Sequence, residues 1–218
     1  MAFQGYTQQT VDFMWGIRFN NERGWFLEHK DDYINTFLTP TRELGEQVYD
    51  AVHALLPDEP LMLKVSRIYR DARRLFGRGP YKDHLWWCIR TGDKDWTGRP
   101  TFWFELGPDY YSFGLGFWSP AAALMETYRK QIDAHPEELS KLVRQFNRQS
   151  VFTLDGPEYA RSKGQTSDLL RPWYQKKSLS LRWEGPLDER IFTSALAEDI
   201  IDGFKTLIPF YHYFNKLV

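Results

Sequence analysis

The chain has 218 residues, 42% of them hydrophobic, one cysteine and a formal net charge of −1. A chain of this length buries roughly 70% of its unfolded surface and needs no disulfide or metal to hold it together. The near-neutral charge argues against a general nucleic-acid binder, and no run approaches the ~20 apolar residues of a membrane helix.

The elements follow in chain order. Thr7 is expected to cap a helix running to about Arg18, with Asn20-Asn21 ending it or capping the next. A second helix is expected over 22–37, with Trp25, Phe26, His29 and Tyr33 at helical spacing. Thr39-Pro40 has the cap-plus-proline pattern that restarts a helix, which carries Leu44, Val48, Ala51, Val52 and Leu55 on one face and stops at Pro57. Four strands are expected next, over 63–69, 85–90, 101–106 and 111–117, with turn chemistry at Thr91-Gly92-Asp93 and Gly107-Pro108-Asp109. In the last strand Tyr111, Phe113, Leu115 and Phe117 alternate with Ser112, Gly114 and Gly116. The bare Ser/Gly face suits close approach by a packed helix or, second, by a ligand. Ser119-Pro120 and Pro136-Glu137-Glu138 each open a helix, the second with acids placed for the helix dipole. Short strands are expected at 152–154 and 178–183, and the Gly-, Ser-, Lys- and Arg-rich stretch 155–177 reads as a long loop or lid. A helix over 194–206 follows, and Pro209 starts a last aromatic turn or helix through Phe214. Helices, then strands, then helices is an α+β order. It implies an antiparallel sheet of about four to six strands flanked by N-terminal and C-terminal helices, in one domain over residues 1–218.

Several chemistries lack their motifs. Gly77-Arg78-Gly79-Pro80-Tyr81-Lys82 is not a phosphate-binding P-loop, and Gly114-Leu115-Gly116 lacks the third glycine of a dinucleotide fingerprint. No paired-cysteine zinc site, zinc-protease helix or Gly-x-Ser-x-Gly elbow is present. His29, His53, His84, His135 and His212 are scattered without metal-ligand spacing, so no metal and no cofactor is expected. Cys88 lies in Trp86-Trp87-Cys88-Ile89 and reads as a buried thiol. The N-terminus has no basic region followed by an apolar core, so a cytoplasmic protein with no membrane partner is expected.

The charge is unevenly spread. Between residues 64 and 84 seven basic residues (Lys64, Arg67, Arg70, Arg73, Arg74, Arg78 and Lys82) face two acids, Asp71 and Asp83. If 65–71 is a strand, Arg67, Tyr69 and Asp71 share one face, and Ile68 and Arg70 the other. Arginine on both faces is costly unless one face is solvated or each guanidinium is paired. Asp71, ionised among these cations, would position an arginine. Arginine suits planar, bidentate recognition of phosphate or carboxylate, and Lys82 adds a point charge. Tyr81 would donate a hydrogen bond, and Trp25, His29 and Lys30 would supply an opposing wall. The expected ligand-binding set is therefore Arg67, Arg70, Asp71, Arg73, Tyr81, Lys82, Trp25, His29 and Lys30, with no catalytic residue assigned. The plainer reading of the same residues is an ion-pair network that shapes a turn.

Asn20-Asn21, Trp25-Phe26, Lys30 and Tyr33, then Arg67-Ile68-Tyr69-Arg70-Asp71 with Arg73, then Pro80-Tyr81-Lys82 together resemble the signature of a family of conserved hypothetical proteins of bacteria and fungi, domain of unknown function 2461. The Gly-x-Gly strand, the Ser-Pro helix and the stretch from Leu169-Leu170 to Lys177-Ser178 are similar too, so the resemblance covers nearly the whole chain. It implies one domain and no established activity. Members usually read Arg-Phe-Ser where this chain has Arg73-Arg74-Leu75, and Lys where it has Arg78. The function expected from the residues is a soluble pocket protein, enzyme or binder, that holds an anionic small molecule bearing phosphate or carboxylate. The alternative is a non-enzymatic interaction module whose basic segment 64–84 contacts a protein or nucleic-acid partner, with a nucleic acid disfavoured by the overall charge.

Overall fold

The computed structural model describes residues 2–218, and Arg74 by its backbone alone. Helix α1 (Gln8–Phe19) buries Phe13, Met14 and Ile17. Thr10 in its first turn does two jobs: its Oγ1 accepts the Thr7 N–H at 3.2 Å and donates to the Thr36 carbonyl at 2.6 Å. The expected single helix over 22–37 is instead broken. Helix α2 (Arg23–Glu28) ends at His29, one turn α3 (Lys30–Asp32) follows, and a π-helix spans Tyr33–Leu38. The expected restart at Thr39 is also corrected. Thr39 is helical (φ −63°, ψ −52°), and the chain runs on into α4 (Thr39–Leu55) without a cap. Pro40 has no N–H for the carbonyl four residues back. That carbonyl belongs to Thr36, and the Thr10 hydroxyl satisfies it.

The chain is α+β, with an antiparallel six-stranded sheet. The strands are β1 (Leu61–Val65), β2 (Leu85–Thr91), β3 (Pro100–Leu106), β4 (Tyr110–Phe117), β5 (Thr153–Asp155) and β6 (Ser180–Pro186), in the order β1-β2-β3-β4-β6-β5. Thr153, Leu154 and Asp155 pair with Arg182, Leu181 and Ser180. β1 stops at Val65 rather than at residue 69. At Ser66 the side chain enters the ladder: Trp86 N–H donates to Ser66 Oγ at 3.0 Å, while Ser66 N–H donates to the Trp86 carbonyl at 2.8 Å. The nearest neighbour of the two glycines on the Ser/Gly face of β4 is the adjacent strand β6. A Cβ on Gly114 would lie 2.1 Å from the Leu181 carbonyl oxygen, and one on Gly116 2.4 Å from that of Leu179, so the bare face admits the backbone of β6.

Helices α5 (Ala122–Ala134) and α6 (Pro136–Phe146) follow β4, and Glu137 and Glu138 sit in the first turn of α6. α5 begins one residue later than the Ser-Pro pattern implies, with Ala121 as its N-cap. The stretch 155–177 holds a Glu158–Lys176 bridge and the short helix α7 (Arg171–Tyr174). The expected break at Pro209 does not occur: α8 (Ala195–Asn215) runs straight through it. A proline inside a helix costs ~3 kcal/mol, and burial of Phe204, Leu207, Phe210, Tyr211 and Phe214 offsets it.

The backbone groups into two compact units. One comprises the N-terminal part through Ile89 with Trp103–Phe113 and Glu184–Asp202, and is cored by Phe13, Phe26, Phe37, Leu44, Trp87 and Phe104. The other comprises Arg90–Phe102, Gly114–Trp183 and Gly203–Val218, and is cored by Phe102, Leu115, Tyr128, Trp173, Phe210 and Phe214. Among the described residues no helix is long and apolar enough to cross a membrane.

Candidate functional site

The basic segment folds back on itself beyond β1. Tyr69 bridges Tyr81 in antiparallel fashion, Arg70 N–H donates to the Pro80 carbonyl at 2.8 Å, and Lys82 N–H donates to the Ile68 carbonyl at 2.7 Å. Asn21 stands where a further strand would pair. Its Oδ1 accepts the Tyr81 N–H at 2.9 Å and its Nδ2 donates to the Tyr81 carbonyl at 3.0 Å. Gly79 makes room for this clamp, since a Cβ there would fall 2.1 Å from Asn21 Oδ1.

The antiparallel register puts Tyr69 and Tyr81 on one side of the fold-back, and Arg70 and Lys82 on the other. On the aromatic side Tyr81 belongs to the core, while Tyr69 stays exposed. Tyr81 is buried and stacks on Phe26 at 4.3 Å, with Tyr69 at 5.4 Å. Burial, reinforced by Tyr69, raises the Tyr81 pKa.

On the other side Arg70 is anchored by its Nε, which donates to the Tyr81 carbonyl at 2.8 Å. Burial, then the charge of Arg78, lowers its pKa. Lys82 lies half-buried with its Nζ 5.6 Å from the Trp86 ring centre. Burial first, then the positive charge of Arg70 and, more weakly, Arg67, pulls its pKa down to about 8, against the opposing pull of Glu105. Asp83 gathers the remaining charge. It accepts from Arg18 Nε at 2.6 Å and from His84 Nδ1 at 3.0 Å, and lies 3.9 Å from Arg70 Nη2. The His84 hydrogen bond, followed by that of Arg18, holds its carboxyl well below the usual carboxylate range despite burial. Arg18 also reaches Asp109 through Nη1 at 2.5 Å.

The structure thus sets Arg70 and Lys82 on one side of the fold-back, while Arg67 is exposed and adds only the weakest of the charges that lower the Lys82 pKa. Asp71 and Arg73 sit in the exposed turn that follows. There Asp71 accepts the Arg73 N–H at 3.0 Å and both guanidinium donors, at 3.0 and 2.8 Å. This pair raises the Arg73 pKa. The turn then passes through the left-handed region at Phe76 (φ +46°) and Gly77 (φ +79°). Trp25 packs on α1, and His29 packs on Trp25. The Trp25 ring lies over Gly16, where a Cβ would come within 2.5 Å, and stacks on His29 at 4.0 Å. Lys30 is exposed. From α2 it is Phe26, rather than Trp25, that touches the fold-back. Sequence reasoning overlooked Asn21, Arg18, His84 and Glu105 as parts of this assembly. Two signals were available: Asn21 within the family signature, and Asp83 as the second acid in a strongly basic stretch.

The family model described as conserved hypothetical protein (DUF2461) matches residues 9–213. The chain belongs to that family. The residues that carry the likeness meet here: Asn21 clamps Tyr81, Phe26 stacks on it, and Arg70 anchors to its carbonyl. No curated protein matches the chain.

Proposed function

We propose that this cytoplasmic protein binds an anionic small molecule, one bearing a phosphate or carboxylate, through Arg67, Arg70 and Lys82. The supporting observation is a cluster of cations whose neighbouring acids are already engaged. Asp83 is held by Arg18 and His84, and Glu105 accepts from the Tyr110 hydroxyl. Arg70 is fixed by its Nε, so its guanidinium plane is set before a ligand arrives. A bound anion would relieve the mutual repulsion of the three. Because the Lys82 ammonium is lost above about pH 8, affinity should fall as pH rises through that value.

The test is a thermal-shift screen of phosphorylated and carboxylated metabolites, run beside Arg70→Gln. A ligand at 100 times its Kd adds about 2.7 kcal/mol, roughly 5–10 °C for a chain of this size. A shift of that order in wild type, absent in Arg70→Gln, supports the site. No shift in any compound class, with Arg70→Gln less stable by itself, reduces the cluster to a structural ion-pair network.

The exposed turn favours the second reading, an interaction module. Phe76 is 83% exposed, in the turn that also carries the exposed Arg73 and Arg78. A basic turn with an apolar tip suits an acidic protein partner. Association would then weaken steeply with salt and be lost in Phe76→Asn, while Arg70→Gln would leave it unchanged.

A further inference from the structure

Helix α5 carries an arginine on its buried side. Arg129 is nine-tenths buried, and among the described residues its Nη1 has no hydrogen-bond partner. A buried guanidinium donor without an acceptor is unfavourable and persists only where something compensates. What stands next to it is an aromatic ring: the guanidinium carbon lies 5.2 Å from the ring centre of Tyr159. Two further cations face the same ring, Lys163 Nζ at 4.4 Å and Lys177 Nζ at 5.6 Å. Three positive charges, one from α5 and two from the stretch 156–177, therefore surround one side chain.

Cation–π attraction accounts for each contact singly, but it does nothing for the repulsion among the three. The acids closest in sequence are occupied. Glu126 pairs with Lys130 at 2.9 Å, Glu158 with Lys176 at 3.0 Å, and Asp133 accepts the Tyr174 hydroxyl at 3.1 Å. The cluster is also built, not incidental to a free loop. Tyr159 N–H donates to the Gln175 carbonyl at 2.9 Å, and Lys177 N–H to the Pro157 carbonyl at 2.7 Å. Lys163 N–H donates to Gln175 Oε1 at 3.2 Å. Buried Lys176 ties down the base of the segment through the Gly156 carbonyl at 3.0 Å. These bonds fix the backbone at Tyr159 and at both lysines.

We infer that Arg129, Lys163 and Lys177 form an anion site over Tyr159 that takes the phosphate group of a small phosphorylated molecule. The Arg129 guanidinium supplies positive charge from the buried side, and the two exposed ammonium groups donate to the phosphate oxygens. Three cations suit a dianionic phosphate better than a single carboxylate. None of these residues belongs to the Arg67, Arg70 and Lys82 group, so the site stands or falls without that reading.

Calorimetric titration with inorganic phosphate and with glycerol phosphate, at constant ionic strength against chloride, tests it. Wild type should bind saturably. The double variant Lys163→Gln/Lys177→Gln changes two exposed side chains, so its melting temperature should match wild type, and its affinity should fall at least tenfold. Arg129→Gln should remove this saturable phase, and Arg70→Gln should leave it intact, whereas the double lysine variant shows it only at the weakened affinity. The inference is overturned if wild type shows no saturable phosphate binding, or if the double variant binds as wild type does. It is equally overturned if Arg70→Gln alone removes all binding.

Discussion

Phe76 holds a conformation that its side chain does not favour. An L-residue in the left-handed region costs roughly 1–2 kcal/mol, and a ring 83% exposed recovers little of that by burial. Asparagine tolerates this region, so Phe76→Asn should raise stability by about 1 kcal/mol and the melting temperature by roughly 2–4 °C. An unchanged or lower melting temperature would mean that the ring contributes contacts worth more than the strain. Asn21 shows the opposite economy, since one side chain supplies both hydrogen bonds of a missing strand. Asn21→Ala strips the Tyr81 N–H of its acceptor and removes one of two donors to the Tyr81 carbonyl, where Arg70 remains. At about 1 kcal/mol per bond, denaturant unfolding should show a loss near 2 kcal/mol. Asn21→Asp keeps the acceptor and should lose about half of that. Equal losses in both variants would show that the clamp does not work through two separate bonds.

At the scale of elements, β4 depends on having no side chains where β6 approaches. Gly114→Ala would set a methyl 2.1 Å from the Leu181 carbonyl oxygen, which is backbone and has no rotamer to yield. Overpacking of this kind usually costs 1–3 kcal/mol, and here at least about 3 is expected. Wild-type stability for Gly114→Ala in denaturant titration would show that β6 shifts freely. The sequence made the bareness of this face legible but not its neighbour, because alternation tells which residues share a face and not what meets it. The strands expected over 85–90, 101–106 and 111–117 lie within one residue of those observed at each end, because β-forming residues bounded by turn residues are a local signal. Helix continuity is not. Pro40 looks like a helix start until the Thr10 hydroxyl, 26 residues away along the chain, caps the Thr36 carbonyl. Pro209 looks like a break until the aromatic packing of α8 outweighs it. The end of β1 turns on the Ser66 hydroxyl, which accepts a hydrogen bond from the N–H of Trp86, 20 residues on. The candidate site divides the same way. The density of arginine was plain, but the pairing of Arg18 with Asp83 across 65 residues, and the burial of Tyr81 against Phe26, arise only once the chain is folded.

The whole molecule is nearly neutral at −1, yet it places Lys82 and Asp83 side by side with opposite effects on stability at neutral pH. Asp83 has a folded pKa below its ordinary 3.8, so it stabilises the fold above that value, and the contribution is lost as pH falls below it. Asp83→Asn should flatten the acid side of the stability profile. For Lys82 the charged form is the costly one. Its folded pKa of about 8 lies below the ordinary 10.5, so between those values the unfolded chain binds more protons than the folded one. Stability must then rise with pH across that window, by at most about 1.4 kcal/mol per pH unit for one proton. Tyrosines close the window from above. Burial raises the pKa of Tyr6, Tyr111 and Tyr213 beyond the ordinary 10, so above pH 10 the unfolded chain sheds protons that the folded chain keeps, and stability falls. Urea unfolding from pH 7 to 11 should therefore show a rise from about 8 towards 10 and a decline beyond it. Lys82→Met deletes the buried charge. It should be more stable than wild type at pH 7, lack the rise, and keep the decline, so that the two curves converge as Lys82 loses its proton. A Lys82→Met curve running parallel to wild type over this range would show that Lys82 titrates alike in both states. The like charges of Arg67 and Arg70 would then exert no net cost on it, and the reading of this cluster as a site that awaits an anion would lose its electrostatic basis.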